Sequence, residues 1–412
     1  MAKILTLTNG TMGDILPYIA LGQVLQQRGH QIHMVSPEYM HSHIKAARLN
    51  AILGSHQDAS PEKFREKALL WDGWITEPQE IAAKQKLDLQ YHGREKWLKL
   101  TQCINHLLEH YYDVDAIVCN PQEEFTAAII AEKLAVPLVK LVVTPKLIYQ
   151  PNNTWRLSRW VKFNNREPGP YQKYRCFLGL NDSESWKDYW QYDRLIFAAS
   201  PYLYQNPPDV PPANHVGFFF YQHPDWNRWQ PSRELKKFVE SEPRLLVLSF
   251  SSQPMRNAKE LVAIHTRAAA ILDCKILIQR GLAELDRSHL PTDLKSDRVM
   301  FVDFIPQEWL FSQAAAVITH GGIGTVARSL LHGCPLLVEP NTHEQCFNAH
   351  QVLRWEVGAA VHPKKITPEG IARVLEKKVL TPQYKRHAEN IKNHLQQENG
   401  LEKAAYLIET WL

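Results

Sequence analysis

Short apolar runs alternate with longer amphipathic stretches from the first residues of the chain. Lys3–Thr8 is apolar enough for a central parallel strand. Ile15–Arg28 carries apolar residues at helical spacing (Ile15, Tyr18, Ile19, Gly22, Leu25) and closes on Gly29, and Gln31–Ser36 reads as the next strand. Residues 1–36 therefore predict a βαβ start, with Asn9-Gly10-Thr11-Met12-Gly13-Asp14 as the loop at the carboxyl end of its first strand. Residues 37–110 read as helical and polar. Asp115–Cys119 and Pro137–Val143 are further buried-strand candidates, separated by a helix from about Glu123 to Leu134.

From Gln150 to Gln230 the pattern loosens and aromatics crowd in, among them Trp155, Trp160, Phe163, Tyr171, Trp186 and Trp190. A solvated loop would not carry them. Most read as packing, the rest as the wall of an apolar pocket. Arg156, Arg159, Lys162 and Arg166, interleaved with these rings, leave room for a peripheral membrane contact. Pro207-Pro208-Asp209-Val210-Pro211-Pro212 is stiff and extended, the natural place for a linker. Beyond it Leu245–Phe250, Ile276–Gln279, Val299–Val302, Ala316–Thr319 and Leu336–Val338 predict a second sheet. Two periodic helices, about Thr367–Val379 and Leu401–Trp411, close the chain. Both halves thus repeat β and α in the doubly wound α/β manner. The expected division is a domain over 1–205, a linker over 206–235, a domain over 236–395, and a C-terminal helix over 396–412 that packs back on the first.

Composition narrows the function classes. A chain of 412 residues with 44% hydrophobic and 22% charged residues is that of a globular protein with sizeable cores. A formal charge of +4 is too small and too dispersed to point to nucleic acid. The six cysteines form no CxxC pair and no metal-ligand spacing, and are expected as reduced thiols in a cytoplasmic protein. No run is long enough for a membrane span or a signal peptide core. His106-Leu107-Leu108-Glu109-His110 fits the H-x-x-E-H pattern. No third ligand suggests itself downstream, so no metal site is expected.

Candidate chemistry concentrates between Ala316 and His350. The strand Ala316–Thr319 ends in His320, followed by the turn Gly321-Gly322-Ile323-Gly324, a helix from Thr325 to His332, Gly333 and Pro335, and then a strand. Such a turn offers bare backbone N–H groups at a helix N-terminus, where an anion is favoured. Three readings are open. Gly322-x-Gly324-x-x-Ala327, with Glu339 near the place of a ribose-binding acid, fits a dinucleotide site. His320 and Thr325 on a diphosphate, with His343-Glu344-Gln345 on a hydroxyl-rich group, fits a nucleotide-linked sugar. A tight turn that only packs helix on strand is the third.

The string His320-Gly321-Gly322-Ile323-Gly324-Thr325, then Gly333-x-Pro335, Pro340, Glu344-Gln345 and Asn348-Ala349, resembles the donor-site signature of the UDP-glycosyltransferase superfamily. Phe304-Ile305-Pro306-Gln307 is similar to that family's W-x-P-Q segment, with Phe in place of Trp. The nearest branch is the bacterial one with natural-product, sterol and rhamnolipid glycosyltransferases. The resemblance implies the GT-B arrangement, two Rossmann-like domains facing across a cleft, the first binding acceptor and the second nucleotide sugar. It implies inverting transfer of a sugar from a UDP- or TDP-linked donor to a hydroxyl of a small, largely apolar acceptor, with no cofactor and no metal.

Carried onto this sequence, the family's donor residues fall on Ser252, Phe304, Gln307, His320, Gly322, Gly324, Thr325, Glu344 and Gln345. Phe304 would stack on the base, and the cradle would hold the diphosphate. Ser251 stands where relatives usually have glycine, Glu344 where most have Asp, and Arg328 where plant members have a Glu that accepts from the ribose. Met12 and Gly13 belong to the acceptor loop. Asp14 reads first as a helix N-cap; the family's bacterial G-D pair, matched by Gly13-Asp14, makes it the expected general base as well.

Overall fold

The computed structural model describes residues 1–55, 97–143, 147–149, 155–157, 174–180, 194–206, 211–241, 244–251, 257–294, 296–303, 305–341 and 343–412. The chain divides into two compact units. The first runs through Pro224 and takes up the chain again over Glu398–Leu412, and the second includes Asp225–Gln397.

The first unit is built on β1 (Lys3–Leu7), β2 (Gln31–Ser36), β3 (Asn50–Leu53), β4 (Ala116–Cys119), β5 (Leu138–Val142) and β8 (Leu195–Phe197). They pair in parallel in the order β3-β2-β1-β4-β5-β8, with Lys3 opposite Gln31 and Ile4 opposite Ala116. An antiparallel pair, β6 (Leu147–Tyr149) and β7 (Trp155–Leu157), stands apart from this sheet. The central strands are apolar on both faces because helices cover both. The helix Met12–Gln27 and the C-terminal helix Gly400–Trp411 share one core, where Ile15, Ile19, Ala404, Ala405 and Ile408 are shut from solvent. Arg28 clamps the two helices together, reaching Glu402 at 2.5 Å and Glu409 at 2.6 Å. Val216, Phe219 and Tyr221, within the stretch expected as linker, belong to the same core.

The second unit repeats the plan with β9 (Leu245–Ser249), β10 (Lys275–Gln279), β11 (Val299–Val302), β12 (Ala316–Thr319), β13 (Leu336–Val338) and β14 (Gly358–Ala360), ordered β11-β10-β9-β12-β13-β14 and parallel throughout. Taken in chain order, each sheet runs 3-2-1-4-5-6, the Rossmann order. Each unit is thus Rossmann-like. The order reverses between the first and fourth strands, and that is where ligands bind in open α/β sheets. In the first unit the loop leading into the helix of Asp14 follows β1, and Asn120–Glu123 follow β4. In the second Ser251 follows β9 and His320 follows β12.

Several elements escape the sequence pattern. β3 lies inside the stretch read as helical. It is a four-residue edge strand with Asn50 and Leu53 exposed, too short and too mixed to show a period. β14 is Gly-Ala-Ala, with no β-branched residue to mark it; a side chain at Gly358 would strike the Leu336 carbonyl 2.2 Å away. The helix Pro382–Leu395 was also unmarked, because only Ala388, Ile391 and Leu395 bury in an otherwise polar segment. The stretch read as one helix over Thr367–Val379 is an α-helix over Pro368–Val374 that widens into a π-turn over Leu375–Val379.

Candidate functional site

The glycine turn after β12 is shaped by what surrounds each glycine. Gly321 has φ +92°, and a methyl group there would lie 2.6 Å from Val338 Cγ1, so only glycine fits. At Gly322, the N-cap, the obstacle is His320 Nε2 at 2.5 Å. Gly324 is different: it is exposed, and nothing lies within 4 Å of the place a methyl group would take. The helix spans Ile323–Leu331, beginning two residues before the expected Thr325. Ile323 and Gly324 therefore head it, with N–H groups of the kind a helix leaves unsatisfied. Thr325 is buried in its first turn. The arrangement is an open-floored anion cradle.

His320 closes one side of the cradle. It is 5% exposed, with its ring 6.0 Å from that of Phe250, and burial pushes its pKa down to about 4. The imidazole is therefore neutral at physiological pH and has hydrogen bonds rather than charge to offer. Across the sheet Ser251 sits at φ +46°, a left-handed conformation. That backbone shape favours glycine, and here a serine adopts it. Ser252 and Phe304 lie outside the described residues. Gln307 is buried at the start of the helix Gln307–Gln313. Its neighbour Glu308 forms an ion pair with Arg328, so the guanidinium at that position is held by a carboxylate.

The loop after β13 is tied to the cradle at several points. Gln345 Oε1 accepts the Asn341 N–H at 2.7 Å, and Asn348 Nδ2 donates to the Gly321 carbonyl at 2.8 Å. Gln345 thus staples the loop through its carbonyl oxygen. Glu344 is half-buried in the first turn of His343–Arg354. Glu339, placed by the dinucleotide reading on a ribose, instead meets His265 Nε2 at 2.7 Å, and both side chains are shut from solvent. Burial alone would lower the His265 pKa; the Glu339 carboxylate outweighs it by charge and hydrogen bond and raises the value. An acid committed in this way is not available to a cofactor.

Asp14 is not the N-cap. Thr11 holds that place, the helix starts at Met12, and Asp14 is its third residue. Asp14 Oδ2 accepts the Thr11 N–H at 2.8 Å, the return arm of a capping box. The other oxygen, Oδ1, accepts from Gln122 Nε2 at 3.3 Å. Gly10 lets the carboxylate come close, since a methyl group there would be 2.5 Å from Oδ2. Tyr39 donates to the Gly10 carbonyl at 2.5 Å and Asn120 Nδ2 to that of Asn9 at 2.6 Å, fixing the loop. Glu123 is buried beside it, its pKa pushed up to about 7 by desolvation and restrained by hydrogen bonds from Thr126 and Asn9. Met12 packs against the first unit's core, and Gly13 is exposed. The residues that sequence reasoning missed, Gln122 and Asn120, lie after β4. Only the switch-point rule could have singled out that loop.

The two histidines of the H-x-x-E-H segment meet on one helix face. His106 and His110 have ring centroids 4.3 Å apart, and His110 Nδ1 is 3.0 Å from the His106 carbonyl, a bond back to its own helix. No cluster of three metal-ligating side chains occurs among the described residues, and none of their helices is long and apolar enough to cross a membrane.

Family models match both units: the N-terminal domain of glycosyltransferase family 28 over residues 4–148, and the C-terminal domain of erythromycin biosynthesis protein CIII-like proteins over 266–407. The chain belongs to the UDP-glycosyltransferase superfamily. This glycosyltransferase is 25% identical over 98% of its length to the sterol 3-beta-glucosyltransferase UGT80B1 of Arabidopsis thaliana, 67% of which is covered. It is 25% identical over 99% of its length to the O-mycaminosyltylonolide 6-deoxyallosyltransferase of Streptomyces fradiae, 97% covered. Against the sterol 3-beta-glucosyltransferase of Saccharomyces cerevisiae the identity is 24% over 97% of the chain, which spans about a third (34%) of that enzyme. Among solved structures the glycosyltransferase is similar to the calicheamicin glycosyltransferase CalG4 (TM-score 0.73, 18% identity, 100% of this chain and 98% of that one). It is also similar to VinC in complex with DTDP (TM-score 0.65, 16% identity, 99% and 98%). These likenesses show the fold, the two Rossmann-like domains of GT-B enzymes.

Proposed function

We propose that this glycosyltransferase moves a sugar from a UDP- or TDP-linked donor onto a hydroxyl of a small, largely apolar acceptor, inverting the anomeric configuration. The observation that carries the proposal is the cradle after β12: a neutral His320 beside a helix N-terminus whose floor at Gly324 is open. As the bond to the sugar breaks, negative charge gathers on the departing diphosphate. The N–H groups of Gly322 and Gly324, the Thr325 hydroxyl and the His320 ring would meet that charge already in place, in a site that needs no metal or cofactor for the purpose. Phe304 would face the base, with Gln307 and Ser252 nearby. Glu344 would accept from the sugar hydroxyls, and Asp14 would take the acceptor's proton. One base and no nucleophile give inversion.

The acceptor class rests on the relatives, which are named for sterol and tylonolide substrates. Residues 158–173, which carry Arg159, Lys162 and Arg166, lie outside the described residues, so the membrane contact stays an expectation of the sequence alone. A nicotinamide-dependent reading loses its ribose acid to His265. Thermal shift against UDP, TDP, GDP and NAD tests the proposal. A ligand at about 100 times its Kd adds ~2.7 kcal/mol of stability. Stabilisation by UDP or TDP is expected; stabilisation by NAD alone would overturn the reading.

A further inference from the structure

A neutral imidazole carries its proton on one nitrogen only, and which one decides whether it attracts or repels an anion. At His320 the two nitrogens face different partners. Nδ1 stands 3.4 Å from the Thr319 hydroxyl, and Nε2 lies on the Gly322 side, 2.5 Å from where a methyl group on that glycine would be. With Nε2 bare, its lone pair would point at the cradle and oppose a phosphate oxygen. With Nε2 protonated, the same atom is a donor.

The hydroxyl of Thr319 decides between them. It accepts the Gly321 N–H at 3.4 Å. Thr319 is wholly buried, so water cannot take its proton, and among the described residues the hydroxyl meets no acceptor other than His320 Nδ1. If the ring donated from Nδ1, the hydroxyl would accept twice and its own proton would be stranded in the core, an outcome that costs about 1–3 kcal/mol. The arrangement that satisfies every group has the Gly321 N–H donating to Thr319 and Thr319 donating to Nδ1. We infer that Thr319 is a positioning residue, whose hydroxyl holds His320 in the Nε2–H tautomer and turns that N–H toward the diphosphate of the nucleotide sugar. The inference rests on the diphosphate reading of the cradle for its ligand, though not for the tautomer itself. The buried, neutral state of the ring is consistent with it.

The test is the long-range ¹⁵N–¹H spectrum of the full chain, with the His320 ring identified as the pattern lost in His320→Gln. The parent is expected to show the Nε2–H pattern, and Thr319→Ser, which keeps the hydroxyl, to retain it. Thr319→Val, near in shape but without a donor, should mix the tautomers and raise the dissociation constant of UDP about tenfold, the scale of one hydrogen bond. An Nδ1–H pattern in the parent overturns the inference. So does a folded Thr319→Val chain that keeps a pure Nε2–H pattern and parental UDP affinity. Should Thr319→Val fail to fold, Thr319→Ala replaces it with the same expectations. A parent that binds no nucleoside diphosphate would sink the donor reading, while the ring spectrum would still decide the part played by Thr319.

Discussion

Asp14 Oδ2 accepts the backbone N–H of Thr11 at 2.8 Å, and Gln122 Nε2 approaches its other oxygen at 3.3 Å. The carboxylate therefore both caps its helix and lies fixed at the switch point of the first sheet. Asp14→Asn separates the two duties. Asn keeps an oxygen for the Thr11 N–H, so the loss of a charge in the first helical turn should cost only about 0.3–1 kcal/mol of stability. A general base is worth ~10²–10⁴-fold, and kcat should fall by that amount with donor affinity kept. Near-parental turnover would leave Asp14 a capping residue and nothing more.

The His265–Glu339 pair makes the second unit's stability depend on pH. The folded state raises the His265 pKa above its ordinary 6.5, so the native chain binds that proton more tightly than the unfolded one. The contribution is full below the unfolded value and drains away as pH rises through the raised native value. Urea melts should show the parent losing stability from about pH 6.5 upward, and His265→Gln flattening that part of the profile. His265→Ala leaves a buried carboxylate alone and should cost about 3–5 kcal/mol. An alanine variant within 1 kcal/mol of the parent, taken as roughly the noise of such substitutions, would contradict the pairing.

Ser251 at φ +46° predicts a stabilising change. A left-handed non-glycine residue costs roughly 1–2 kcal/mol, and glycine returns part of that as lost backbone entropy. Ser251→Gly should gain about 0.5–1 kcal/mol in chemical denaturation. A loss of stability would mean that the serine side chain holds the loop by a contact of its own.

Arg328 bears on nucleotide choice. A guanidinium cannot accept a hydrogen bond, and here it is occupied by Glu308. Recognition of the ribose 2′-hydroxyl should therefore be weak, and TDP should compete with UDP. Competition binding measures the ratio, and a preference for UDP above a few hundredfold, roughly 3 kcal/mol, would require another ribose acceptor.

What the sequence disclosed follows from the range of the interactions. Ala316–Thr319 and Leu336–Val338 are strands over the residues expected, because a parallel strand buried on both faces is written as an unbroken apolar run. The glycine turn was legible too, since His320, Gly322 and Gly324 stand within a few residues of one another. β14 was not, because Gly-Ala-Ala is a strand only through its neighbour β13. Pairings across long stretches of chain left no local trace. Gln122 reaches Asp14 over 108 residues and His265 reaches Glu339 over 74. That is why Glu339 fitted the place of a ribose-binding acid in one of the open readings, until the fold supplied its partner.

The measurement closest to the central claim, that a nucleoside diphosphate sits in the turn after β12, is calorimetric titration of UDP and TDP into the parent and Gly324→Ala. No atom lies within 4 Å of the new methyl group, and alanine suits a helix better than glycine by up to about 1 kcal/mol. The variant should therefore be as stable as the parent or more so, yet bind UDP and TDP at least tenfold more weakly, because the methyl group stands where a phosphate oxygen approaches the backbone. A Gly324→Ala chain with parental stability and parental affinity for both nucleotides would place the diphosphate elsewhere and contradict the account.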